Sequence, residues 1–136
     1  MQARVIWQQG MQFKAEAGSG HSVIIDGAPQ VGGNDTGMRP MEMLLLSMAG
    51  CSAMDVIYIL NKARQKVSDC VIDIKGKRAE TTPKVFTDIH VHYSLSGENL
   101  DEAKVKNAVT LSAEKYCSVA TMIKKAANVS YDYEIK

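Results

Sequence analysis

Apolar and polar residues alternate in short runs through the first part of the chain, a pattern of period two that predicts strands. The runs Ala3 to Gln8, Met11 to Ala17 and His21 to Ile25 are separated by Gly10 and by Gly18-Ser19-Gly20, so a three-stranded antiparallel meander is expected over residues 3–25. Residues 26–39 contain Gly27, Pro29, Gly32, Gly33, Asn34, Asp35 and Gly37, and this density of breakers predicts a mobile surface loop.

The period then changes to that of a helix, expected over residues 40–66. Pro40 suits the first helical position, Glu42 favours the positive end of the helix dipole, and Lys62, Arg64 and Lys66 favour the negative end. Sixteen of the twenty residues from Met41 to Leu60 are apolar or glycine, so this helix should be buried on nearly every side. Its uncharged stretch, the twelve residues from Met43 to Met54, is shorter than the roughly 20 that cross a bilayer and reads as a core helix.

Strand-like segments at Cys70 to Lys75 and Val85 to Ser94 predict a hairpin over residues 70–95, with Val85, Thr87, Ile89, Val91 and Tyr93 on one face and Phe86, Asp88, His90 and His92 on the other. A second helix is expected over residues 99–127, with Val105, Val109, Ser112, Tyr116, Val119 and Ile123 as its buried stripe. Alternation at Val129, Tyr131, Tyr133 and Ile135 predicts a closing strand over 129–135. The order βββαββαβ implies an α+β fold in a single domain, residues 1–136, with the strands covering two unusually apolar helices. One sheet cannot easily wrap so apolar a rod, so a second subunit is expected to cover the remainder in an obligate homodimer.

Composition narrows the functional classes. Lys plus Arg number 16 against 15 Asp plus Glu, and a formal charge of +1 gives no electrostatic footprint for nucleic acid or an anionic membrane. The N-terminal residues carry no apolar run of the secretory type, which predicts a cytoplasmic protein in a reducing compartment. Three cysteines without C-x-x-C spacing fit neither a disulfide scaffold nor a cysteine-rich zinc site, so no metal and no cofactor is expected. His90 and His92, with His21 and Asp88, form too small a ligand set to change that, and Cys70 reads as structural.

Cys51 and Cys117 are the residues that could carry chemistry, although each taken alone reads first as a small core residue. Gly50 and Ser52 flank Cys51 and leave room for another backbone or a ligand to approach. A thiolate can attack a peroxide O–O bond, become a sulfenic acid and condense with a second thiol to a disulfide, a cycle that needs two cysteines. Only tertiary packing can bring together sulfurs 66 positions apart. A mid-helix thiolate gains little from the helix dipole, and Asp55 at i+4 opposes it, so a cation is required; Arg39, Arg4 and Lys14 are the candidates. Glu42 lies about 13.5 Å along a straight helix from Cys51 and on the opposite side, so the two can meet only through a partner chain. It serves equally well as a helix-start charge.

The segments Pro40-Met41-Glu42-Met43-Leu44-Leu45, Gly50-Cys51-Ser52 and Glu114-Lys115-Tyr116-Cys117-Ser118-Val119 resemble the signatures of the OsmC/Ohr family, most closely its YhfA-like branch. The resemblance implies an OsmC-like fold: an intertwined homodimer with antiparallel sheets wrapped around two central helices. It also implies thiol peroxidase activity toward organic hydroperoxides, with recycling by a lipoyl or thioredoxin-like dithiol reductant. By the same resemblance, Cys51 matches the peroxidatic cysteine, Cys117 the resolving cysteine, and Glu42 the carboxylate that partners an active-site arginine; the family's arginine comes from the N-terminal strand region, where Arg4 stands early and Lys14 is a substitution, while Arg39 lies in the later loop. The competing expectation is an OsmC-like protein of weak activity that binds a small apolar ligand or stabilises an assembly.

Overall fold

The computed structural model describes residues Met1–Lys136 and is α+β, with two three-stranded sheets and helices. It divides into two compact units, Met1–Leu44 and Leu45–Lys136, where the sequence predicts one domain.

In the first unit, β1 (Ala3–Gln9), β2 (Gln12–Ala17) and β3 (Ser22–Ile25) form the expected antiparallel meander in the order β1-β2-β3. Gly10 makes the first turn at φ +50°, a conformation that costs a residue without a side chain little. The segment predicted as a mobile loop is instead built around a buried carboxylate. Asp26, 1% exposed, accepts hydrogen bonds from the backbone N–H groups of Gly27, Asn34 and Thr36 and from the Thr36 hydroxyl. These bonds hold its pKa at about 2, the Thr36 contacts being the largest cause. Breaker composition could not reveal this, because the carboxylate gathers donors up to ten residues away.

Helix α1 (Pro40–Lys62) begins in the first unit and continues through the second. It stops four residues short of the expected end. The Gln65 N–H bonds to the Leu60 carbonyl at 2.9 Å and the Arg64 N–H to that of Asn61 at 3.0 Å, with Arg64 at φ +57°. This is the Schellman closure, made here without glycine. At 23 residues α1 is long and apolar enough to cross a membrane by length and composition, contrary to the shorter span counted from its uncharged stretch. Its buried stripe nevertheless packs inside a globular unit. Met48, Ala49, Ser52, Val56 and Leu60 are its only buried residues, so the helix is not covered all round: Leu46, Met54 and Tyr58 are 54%, 77% and 61% exposed.

In the second unit, β4 (Lys66–Arg78) and β5 (Phe86–Glu98) form the hairpin, longer than the predicted 70–95, and β6 (Asn128–Ile135) lies beside β5. The β5–β6 pairing is parallel, which corrects the expectation of wholly antiparallel sheets. A parallel neighbour needs a crossover connection, and the helical segment between the two strands supplies it. Ile89, Val91 and Tyr93 are almost completely buried, as the alternation along β5 predicts, and Leu95 extends that face; at the start of the segment the alternation fails, Val85 being 50% exposed and Phe86 buried.

The second helix is broken rather than continuous. Helix α2 (Glu102–Leu111) starts at the N-cap Asp101, a five-residue π turn follows at Ser112–Tyr116, and α3 (Ser118–Ile123) starts after Cys117. A π turn inserts a residue into the helical repeat and rotates the face that points inward. Val105, Val109, Ser112 and Ile123 are buried as expected, but between Ser112 and Ile123 the stripe moves to Ala113, Cys117 and Ala120. Tyr116, predicted to be buried, is 50% exposed, while Cys117 is fully buried.

Candidate functional site

The break at Cys117 sets the geometry of the thiols. Cys117 has extended backbone (φ −64°, ψ 103°) and is the N-cap of α3, its sulfur accepting the Ala120 N–H at 3.4 Å. The thiol also points toward the Met48 carbonyl of α1, at 3.8 Å. Half-buried Cys51 lies one residue before Ser52 of the buried stripe, and Asp55 follows one helical turn later. The two sulfurs and a carboxylate oxygen of Asp55 all lie within 4.8 Å of one another.

A buried polar network supports this cluster. The Ser52 hydroxyl contacts Tyr93 Oη at 2.5 Å and Ser112 Oγ at 2.7 Å, and Ser112 Oγ lies 3.2 Å from Asp55 Oδ2. It links α1, β5 and the π turn through groups that would be costly to bury unpaired. The sequence expectations omitted this network. The available signal was polar Ser112 within an apolar stripe, since a hydroxyl at a core position requires a partner.

Electrostatics separates the cysteines by environment. Burial pushes the Cys117 thiol up to about 11; the Ala120 N–H works against this, and Cys51 and Asp55 add to it. Cys117 therefore keeps its proton at neutral pH. Burial also raises the Cys70 thiol, with Asp69 as the second cause, and Cys70 stands on β4 outside the cluster. Beside the cluster, Asp55 shares the lining of a groove of about 460 Å³ with Tyr58, Ile59, Lys62, Leu111 and Tyr116. Lys62 Nζ sits 5.0 Å from the Tyr58 ring centroid.

The other expected site residues lie in the first unit. The Arg39 guanidinium pairs with Asp35 at 2.5 Å and donates to the Gly37 carbonyl at 2.9 Å. Glu42 accepts the backbone N–H of Arg39 at 2.8 Å, half of a capping box, so its helix-start role is realised directly. Arg4 and Lys14 both pair with Glu16. On the sheet of the second unit, His90 and His92 share Asp132, and each has a further partner, Ser130 for His90 and Glu134 for His92.

Comparison with known proteins gives the family and the fold. A family model described as OsmC-like protein matches residues 32–132. The chain is 47% identical over 135 residues to Protein YhfA of Escherichia coli strain K12, covering 99% of this chain and 98% of that one. A crystal structure of a hypothetical protein from Aquifex aeolicus VF5 superposes with a TM-score of 0.83 at 33% identity, covering 99% of this chain and 96% of the other. An organic hydroperoxide resistance protein OsmC from Legionella pneumophila shares the fold, with a TM-score of 0.73 at 16% identity over 97% of this chain and 94% of the other.

Proposed function

The chain belongs to the OsmC-like family, and from that premise we propose that it is a thiol-dependent peroxidase that reduces organic hydroperoxides through Cys51 and Cys117. The proximity of the two sulfurs, within 4.8 Å, carries this reading. In the first step the Cys51 thiolate attacks the distal peroxide oxygen; the O–O bond breaks, an alcohol leaves after taking a proton, and Cys51 becomes a sulfenic acid. In the second, the Cys117 sulfur attacks that sulfenic acid, water leaves and a disulfide forms. A dithiol of lipoyl or thioredoxin type then reduces the disulfide and is itself oxidised, which suits a reducing cytoplasm.

The division of labour follows from environment. Cys117 is fully buried and so suits the resolving role, giving up its proton to the leaving water as it attacks, while half-buried Cys51 suits the role that meets substrate. The apolar walls of the adjacent groove, Tyr58, Ile59, Leu111 and Tyr116, suit the organic part of a hydroperoxide.

The same reading includes a homodimer. Leu46, Gly50 and Met54 repeat every four residues along one exposed side of α1, and a Cβ placed on Gly50 would meet nothing within 4 Å. A second copy of α1 can approach closely there and remove the apolar surface from water. In such a dimer the partner subunit's Glu42 and the partner subunit's Arg39 serve the thiols, the guanidinium stabilising the thiolate and the carboxylate accepting a hydrogen bond from the peroxide.

The test is intact mass after substoichiometric cumene hydroperoxide. The expected result is a loss of two hydrogens that maps to Cys51 and Cys117. A Cys51→Ser variant that consumes the peroxide as fast as wild type overturns the proposal.

A further inference from the structure

We propose that Cys51, Asp55 and Cys117 of the reduced protein form a binding site for a thiophilic divalent cation, zinc being the best match. The proposal stands on the geometry of the cluster and does not depend on the peroxidase reading. Cysteine spacing alone argues against a zinc site, but folding adds a carboxylate to the two sulfurs.

The donor atoms all lie within 4.8 Å of one another. Tetrahedral zinc with bonds of about 2.3 Å to sulfur holds its donors roughly 3.8 Å apart, so rotamer adjustments of about 1 Å close the site. Cys51 and Asp55, at i and i+4, project from the same side of α1, and Cys117 approaches from the junction before α3. Two thiolates and a carboxylate favour a borderline-soft cation over magnesium or calcium, which prefer all-oxygen ligands.

The surroundings match those of metal-bound thiolates and carboxylates. The Ala120 N–H bond to the Cys117 sulfur stabilises a thiolate, and the Ser112 hydroxyl, 3.2 Å from Asp55 Oδ2, orients the carboxylate. Ser112 is itself fixed by Ser52. Such outer partners set ligand orientation and affinity. Asp55 also opens on the 460 Å³ groove, which gives the cation a way in and leaves room for a water as fourth ligand. Binding replaces both thiol protons, which pass to the buffer, and changes no oxidation state.

The test uses full-length protein, reduced with a phosphine and freed of metal by a chelator, titrated with Co²⁺ as a spectroscopic probe and then with Zn²⁺. A thiolate-to-cobalt charge-transfer band should grow to single-site saturation and be abolished by zinc. Cys51→Ser should remove the band, Ser112→Ala should weaken binding about tenfold, and Cys70→Ser should change nothing. Because Cys117→Ser alters a buried position and Cys117, fully buried, reacts little with alkylating reagents even without metal, its part is tested in the wild-type protein: X-ray absorption at the zinc edge should count two sulfur ligands. Absence of the band, its survival in Cys51→Ser, or a zinc shell with fewer than two sulfurs overturns the proposal. No peroxide enters the experiment, so its failure is distinct from failure of the peroxidase reading.

Discussion

The hydroxyl oxygens of Ser52 and Ser112 lie 2.7 Å apart across 60 residues of sequence, inside the second unit. Through this bond the middle of α1 is fixed against the π turn that ends beside Cys117, and the turn determines which way the Cys117 sulfur faces. Ser112→Ala leaves Ser52 and Asp55 with fewer partners, and an unsatisfied buried polar group costs about 1–3 kcal/mol. A fall of that size in unfolding free energy is expected from urea denaturation. An unchanged midpoint with an unchanged slope would show that the network contributes nothing to stability.

Cys117 should make the metal-free protein less stable at high pH. Its thiol sits at about 11 in the fold against an ordinary 9.0, so between these values the folded chain keeps a proton that the unfolded chain has lost. The contribution is therefore full below pH 9.0, declines as pH rises, and is gone above about 11, amounting to on the order of 2 kcal/mol. The free-energy difference between wild type and Cys117→Ala, followed through that window in the presence of chelator, should shrink. A constant difference contradicts the assignment.

His92 and Asp132 form a pair of opposite pH dependence on the exposed face of β5 and β6. The Asp132 contact, followed by that of Glu134, raises the His92 pKa above 6.5, while His92 lowers the Asp132 carboxyl below 3.8. The His92 contribution is full below pH 6.5 and lost as pH rises through its folded value; the Asp132 contribution is present above 3.8 and lost as pH falls through its folded value. Asp132→Asn should move the NMR titration midpoint of the His92 ring downward. An unmoved midpoint would place the cause elsewhere.

The exposed side of α1 should respond to charge if a second copy covers it. Met54, 77% exposed in the single chain, tolerates glutamate at little cost as a monomer residue, but a carboxylate buried unpaired at an interface is strongly unfavourable. Sedimentation of Met54→Glu should therefore show monomer at concentrations where wild type is dimeric. If both sediment as the same species, this face is not the interface.

Much of the fold was legible because local patterns govern it. The meander over residues 3–25, the long helix after Pro40, the apolar face of β5 and the closing strand all follow from periods of two or 3.6 residues, which survive in any tertiary context. The motifs around Cys51 and Cys117 also indicated the family directly.

The sequence by itself determined which residues could form strands, helices and reactive thiols; tertiary structure decided which of them meet. No periodicity encodes a contact across 66 residues, and only the packing of α1 against the broken second helix brings the sulfurs of Cys51 and Cys117 within 4.8 Å. The π turn was invisible for the same reason, because regular spacing would have turned Tyr116 inward and left Cys117 off the buried stripe. The parallel direction of β6 depends on the crossover that carries it, and the burial of Asp26 depends on donors gathered from a folded loop. Each of these outcomes depends on satisfying polar groups and filling space between distant segments, and those conditions exist only once the chain has folded.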